Sequence, residues 1–82
     1  MRLVKRFSHE RYLIELHQYN QKYILKISLD RFEQIFKIDE GEVQNMEIFD
    51  QILESDFLSG CLTRFVSMRE DFLTELNNST NE

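Results

Sequence analysis

The stretch Arg11–Leu29, RYLIELHQYNQKYILKISL, alternates apolar and polar residues twice with a turn between. Successive side chains of a strand point to opposite faces. Tyr12, Ile14 and Leu16 therefore share one face, and Tyr23, Leu25, Ile27 and Leu29 share one face of the next strand. Between them, Asn20 tolerates the left-handed backbone of a tight turn. A two-residue turn at Tyr19-Asn20 sets Leu16 against Tyr23, Ile14 against Leu25 and Tyr12 against Ile27. Every apolar position then meets an apolar position. A slip of one residue would expose one strand's whole apolar set, so a hairpin is expected.

Downstream, Leu29–Ile38 reads two ways. Leu29, Phe32 and Phe36 fit a helical period, and Asp30 with Glu33 makes a capping-box pair. Phe32, Phe36 and Ile38 also alternate, with Gln34 as the one polar exception. With Asp30-Arg31 as the turn, Leu29 faces Phe32, Leu25 faces Phe36 and Tyr23 faces Ile38. Asp-Arg is a poor hairpin turn, but two hairpins agreeing on one buried face outweigh one capping pair. A third strand is expected at Phe32–Ile38. Leu3–Phe7 fits either a short additional strand or an irregular arm.

After Ile38 the period changes. Asp39 and Glu42 form a second capping-box pattern. Met46, Phe49, Leu53, Phe57, Cys61, Phe65, Met68, Phe72 and Leu76 then recur every three or four residues. One straight helix from about Glu42 to Leu76 would run about 50 Å, against about 23 Å for a seven-residue strand. Two helices broken near Ser55–Gly60 fit the sheet better, with Ser55 or Ser59 as the cap of the second. The fold class expected is α+β: a three-stranded antiparallel meander followed by two antiparallel helices packed on one face. Residues 1–76 form one compact domain, and the polar stretch 77–82 is a disordered tail.

The charge divides at the same point. Residues 1–38 hold 8 Lys/Arg and 4 Asp/Glu, and residues 39–82 hold 2 and 11, for a total of −5 over 82 residues. The hydrophobic fraction of 41% is that of a folding domain rather than a disordered segment. No proline occurs, and Gly41 and Gly60 are isolated, so no linker or glycine-rich phosphate loop is present. No stretch is apolar for long enough to cross a membrane. Met1–Arg6 carries charges where a signal peptide needs its apolar core, and the single Cys61 leaves no internal disulfide. A cytoplasmic protein is expected.

The chemistry-bearing residues lack the neighbours their chemistry needs. His9 and His17 fall short of a metal set, which takes three or four ligands. Cys61 sits among Leu58, Leu62 and Phe65, and no cation or His flanks it closely in sequence, so it reads as a structural thiol. Glu47, Asp50 and Glu54 share one helical face opposite the apolar stripe, which reads first as a solvated surface. No catalytic residue, metal or cofactor is implied, and an enzyme is not expected.

Two surfaces invite partners. Arg2, Lys5, Arg6 and Arg11 form a basic amino-terminal arm with Phe7 and Tyr12 interleaved, a possible nucleic-acid footprint that the net charge of −5 opposes. The favoured reading is that they neutralise the acidic helices of the same domain or of a partner. Apolar residues left over from the core form two sets: Leu13, Ile24 and Ile35 on the outer sheet face, and Leu58, Val66 and Leu73 along the second helix. Contiguous apolar patches mark interfaces, and a small domain without disulfides gains from oligomerising. The expected function is non-enzymatic protein–protein interaction, as a small regulatory or accessory subunit that forms a homodimer. A different class competes: an acidic protein whose Asp39, Glu40, Glu42, Glu47, Asp50, Glu54 and Asp56 imitate the charge of nucleic acid and block a nucleic-acid-binding enzyme. Binding of nucleic acid by the basic arm ranks third.

Overall fold

A computed structural model describes residues 1–80 of the chain. It is α+β: a four-stranded antiparallel sheet in the order β1-β2-β3-β4, followed by two helices. The strands are β1 (Arg2–Phe7), β2 (Leu13–Tyr19), β3 (Lys22–Leu29) and β4 (Phe32–Asp39). The sheet thus has one strand more than the three expected, because Arg2–Phe7 pairs with β2. Its pairing shifts register between Leu3 and Lys5. Such a bulge adds a residue to one strand and breaks the period of two. Val4 packs against the core although simple alternation would pair it with Arg2 and Arg6.

The first hairpin turns at Asn20-Gln21, with φ of 57° and 66°. Leu16 therefore faces Leu25 and Ile14 faces Ile27, one pair along from the register expected around Tyr19-Asn20. Moving the turn by one residue shifts partners by two and leaves every side chain on its face, so the apolar pattern alone does not distinguish the two. The turn does, because a two-residue hairpin loop of this kind needs positive φ at both central positions. Bulky Tyr19 is a poor residue there. In the second hairpin Asp30 takes φ 55°. Leu29 faces Phe32, Leu25 faces Phe36 and Tyr23 faces Ile38, as the pattern requires.

The acidic half does not start as a helix. Asp39–Glu42 gives a single 3-10 turn, Glu40–Glu42, and Asp39 makes no capping bond with its side chain. Helix α1 (Glu47–Glu54) begins five residues past the expected start at Glu42, where Asn45 Oδ1 accepts the Glu47 N–H at 3.0 Å. The break falls at Ser55-Asp56. There Ser55 Oγ accepts the Phe57 N–H at 3.2 Å and satisfies one of the orphan donors of the next helix. Helix α2 is Phe57–Thr80 and contains Gly60. It runs through Asn77–Thr80, where a disordered tail was expected; no Gly or Pro interrupts it there, and helices continue until something stops them. Asn81 and Glu82 of that tail lie outside the described residues.

Both helices cover the inner sheet face. Tyr12, Ile14, Leu16, Leu25, Ile27, Phe49, Cys61 and Phe65 form the buried core. Aromatic pairs map the docking: Phe49 of α1 lies edge-on to Tyr23 at 5.7 Å, and α2 sets Phe57 against Phe36 at 5.0 Å, Phe65 over Tyr12 at 6.0 Å and Phe72 edge-on to Phe32 at 6.0 Å. With 24 residues α2 is about 36 Å long, while eight-residue strands span about 26 Å. The helix outruns the sheet, and the molecule measures 52 × 27 × 19 Å. Leu53, Phe57 and Met68 of the expected stripe are half-buried, and Met46, Phe72 and Leu76 are exposed.

Candidate functional site

The basic arm lies on β1, an edge strand, and the loop after it, and two of its four charges, Lys5 and Arg6, are paired with carboxylates of the domain. The Arg2 guanidinium donates to Gln18 Oε1, Arg6 Nη2 to Glu15 Oε2 at 2.9 Å, and Lys5 Nζ lies 3.5 Å from Asp50 of α1. Lys5 also stands 4.7 Å above the Phe7 ring. Arg11 is exposed in the loop before β2, with its N–H on His9 Nδ1 at 3.0 Å. Bulge and charges together block further strand pairing at this edge.

The acidic set divides. Asp50 is half-buried against Lys5, while Glu47 and Glu54 are exposed. Asp39 pairs with Lys22 at 2.7 Å, and Glu40 accepts from the Gln18 amide. Asp39 holds the Lys22 ammonium above its ordinary pKa, chiefly through that hydrogen bond.

The outer sheet face is polar at its centre. Glu15 accepts from Arg6 and shares a 3.2 Å hydrogen bond with His17 Nε2. Both side chains are 13% exposed although no layer covers them. The hydrogen bond from Arg6, and then that from His17, hold the Glu15 carboxyl below its usual pKa. A carboxyl lowered by folding stabilises at pH above its unfolded value, about 4.3, and that contribution is lost as pH falls through the folded value. Glu15→Gln should therefore lower the melting temperature at neutral pH. The gap to wild type should close on acidification below pH about 4; a gap constant with pH would rule out the charge as its source. Ile24, expected on an exposed patch, is 9% exposed between His17 and Lys37 on the neighbouring strands. Leu13 and Ile35 are exposed, but Lys26, 3.9 Å from Glu33, and Ser28 lie between them. The three do not form a contiguous apolar patch. Along α2, Leu58 packs half-buried against the core, Leu73 is half-buried and Val66 is exposed. Among the described residues no group of three or more His, Cys, Asp or Glu could hold a metal ion.

The feature that sequence reasoning missed is at the other edge. Between β4 and α2 runs an open, mostly apolar groove of about 480 Å³, lined by Gln34, Ile35 and Phe36 on one side and Thr63, Arg64, Ser67, Met68 and Asp71 on the other. Gln34, the polar exception on the apolar face, is 9% exposed and ties the two elements together. Its Nε2 donates to the Cys61 carbonyl at 2.9 Å, and its Oε1 accepts from Arg64 Nε at 2.8 Å. Arg64 Nη2 lies 3.3 Å from Cys61 Sγ. A cation does neighbour the thiol, one helical turn away, a spacing at which side chains meet. Arg64 also stands 6.0 Å from the Phe36 ring centroid.

Strand β4 keeps one edge open. Leu29 and Phe32 flank a two-residue turn, and residues so paired exchange backbone hydrogen bonds. The Glu40 N–H on the Gln21 carbonyl at 3.0 Å continues the alternation. Even-numbered residues of β4 thus bond to β3, and Glu33, Ile35 and Lys37 turn their N–H and C=O groups outward. No register shift interrupts β4. The chain matches no protein-family model, no curated protein and no solved structure.

Proposed function

We propose that this chain is a non-enzymatic protein-interaction domain that works as a small accessory or regulatory subunit. The observation that carries the reading is the contrast between the two sheet edges. β1 is bulged and carries cations alone; β4 is regular, carries charges of both signs, offers its backbone groups, and has an apolar groove beside it. An extended partner that adds a strand gains main-chain hydrogen bonds from such an edge and specificity from the adjoining groove. The competing reading, an acidic surface imitating nucleic acid, draws support from exposed Glu47 and Glu54 but loses Asp50 to Lys5. No helix among the described residues is long and apolar enough to cross a membrane.

The test is Ile35→Pro. The Ile35 N–H faces away from β3, so proline there removes an outward donor and leaves the hairpin bonds in place. The tagged wild-type chain, drawn through a nuclease-treated lysate, should capture a protein that the variant does not. Capture that survives Ile35→Pro, or that nuclease abolishes, removes the β4 edge from the function. Charge reversal at Glu47, Asp50 and Glu54 separates the competing reading: a mimic loses its partner and a β4 binder keeps it.

A further inference from the structure

We propose that the β4 edge binds a second copy of the same strand, antiparallel, about a two-fold axis through Ile35. This names the partner of the interaction surface above and rests on that reading. Only residues whose backbone groups face outward can pair at the edge, so odd-numbered residues must face odd-numbered ones. That leaves few registers, and side-chain charge separates them.

With Ile35 opposite Ile35 of the other copy, Glu33 of each copy comes opposite Lys37 of the other. At the ends Arg31 comes opposite Asp39. Each charged pair is of opposite sign, and the half-exposed Ile35 meets its own copy. Sliding one step either way spoils the match. In one direction Glu33 meets Asp39 and Ile35 meets Lys37; in the other Arg31 meets Lys37 and Glu33 meets Ile35. Two steps bring Lys37 against Lys37 or Glu33 against Glu33. Like charges directly opposite destabilise a strand pair, and opposite charges support it. Among registers within two steps, only the symmetric one centred on Ile35 has no conflict, and a third step leaves too few residues overlapping to hold the edge.

The rest of the edge agrees. Lys37 makes no ion pair among the described residues, and the Glu33 carboxylate is 3.9 Å from Lys26, a loose contact. A two-fold axis perpendicular to the sheet keeps both copies of α2 on the same face and runs them antiparallel. The groove side of α2 carries Arg64 and Asp71, opposite charges about two turns apart, with small Thr63 and Ser67 on the same side. An antiparallel copy of that surface complements it. The resulting interface is isologous, the commonest kind in closed assemblies, and a continuous sheet across it leaves only the bulged, charged β1 strands as free edges.

The experiment is a charge exchange read by sedimentation equilibrium across the micromolar range. Wild type should be a dimer. Glu33→Lys and Lys37→Glu each place like charges opposite at two symmetric points and should raise the dissociation constant about tenfold or more. The double variant Glu33→Lys/Lys37→Glu restores opposite pairs in the same register and should return to within about threefold of wild type. Lys26 faces Ile35 with positions 33 and 37 on either side, so the melting temperature of each variant is measured alongside, to separate an effect on the fold from one on the dimer. The register has its own check. Ile35→Cys should cross-link to itself on oxidation, since hydrogen-bonded partners lie about 5.5 Å apart between Cα atoms, within reach of a disulfide. Lys37→Cys should not, because its two copies are offset by four residues, about 13 Å. A wild-type monomer throughout the range overturns the dimer, as does a double variant no tighter than the singles. A monomer that still captures a protein through an Ile35-dependent edge sinks the dimer alone; a monomer without such capture sinks the interaction reading as well.

Discussion

Phe65→Ala should lower the unfolding free energy by about 3–5 kcal/mol, the usual range for emptying a large aromatic site. Phe65 is 2% exposed on α2, stacked on Tyr12 at 6.0 Å, in a core it shares with Ile14, Leu16, Ile27 and Cys61. It is where the longer helix grips the sheet. Small domains are stable by about 5–15 kcal/mol at most, so the loss is a large fraction of the whole. Phe72 supplies the control. Seven residues further along the same stripe, it is 45% exposed and touches only the rim, with the Phe32 ring at 6.0 Å and the Arg31 guanidinium at 5.8 Å. Phe72→Ala should cost about 1 kcal/mol, the worth of an edge-to-face pair with little burial behind it. Urea denaturation of both variants checks the contrast. Equal losses at the two positions would mean that α2 does not leave the sheet between them.

That contrast also marks where the sequence stops speaking. The stripe from Phe57 to Leu76 keeps its phase because one face of α2 is apolar throughout, but periodicity does not know where the sheet ends. The β3–β4 turn at Asp30-Arg31 is the end, and Phe72 lies beside it. The hairpins were legible because a period of two is strict, and Tyr23, Leu25 and Leu29 do face Ile38, Phe36 and Phe32. The turn of the first hairpin was not, since registers differing by two residues bury the same faces and only backbone φ at Asn20 and Gln21 separates them. β1 hid behind its bulge. Ile24 sits on the face the pattern assigns it, yet it is shielded by His17 and Lys37, long side chains whose reach no pattern of apolar letters reports. The groove beside β4 was least legible of all. It joins residues about thirty positions apart, and the sequence held one hint of it: Gln34, a polar residue on an apolar face.

Gln34→Glu should be the most informative change at that groove, at a cost of about 2–3 kcal/mol at neutral pH. The two side chains are nearly isosteric, so packing is held constant and hydrogen-bond polarity is what changes. Gln34 uses both ends: its amide donates to the Cys61 carbonyl at 2.9 Å and its carbonyl accepts from Arg64 at 2.8 Å. Among the described residues every buried side-chain nitrogen and oxygen has a partner. An ionised carboxylate only accepts. It can keep Arg64, but it sets a negative oxygen against the Cys61 carbonyl and carries charge into a site now 9% exposed. Arg64 offsets part of this from the groove side, which keeps the cost below that of an unpaired buried charge. The sign of the pH dependence follows. Protonation gives the carboxyl an O–H that can donate to Cys61, so the folded state favours the protonated form and raises the pKa above the unfolded value of about 4.3. The folded variant then binds more protons than the unfolded chain between those two values, and its stability falls as pH rises through them. The deficit relative to wild type should be smallest near pH 4 and should level off at its full value above the raised pKa, as read by urea denaturation of both proteins at matched pH. Taking the difference removes the acid loss that Glu15 imposes on both chains. Gln34→Leu separates the two causes. It forfeits the hydrogen bonds without adding charge, and should cost about 1 kcal/mol at every pH. If the Gln34→Glu deficit grows on acidification instead, the ion pair with Arg64 outweighs the lost donor, and the link from β4 to α2 runs through Arg64 rather than through the Cys61 carbonyl.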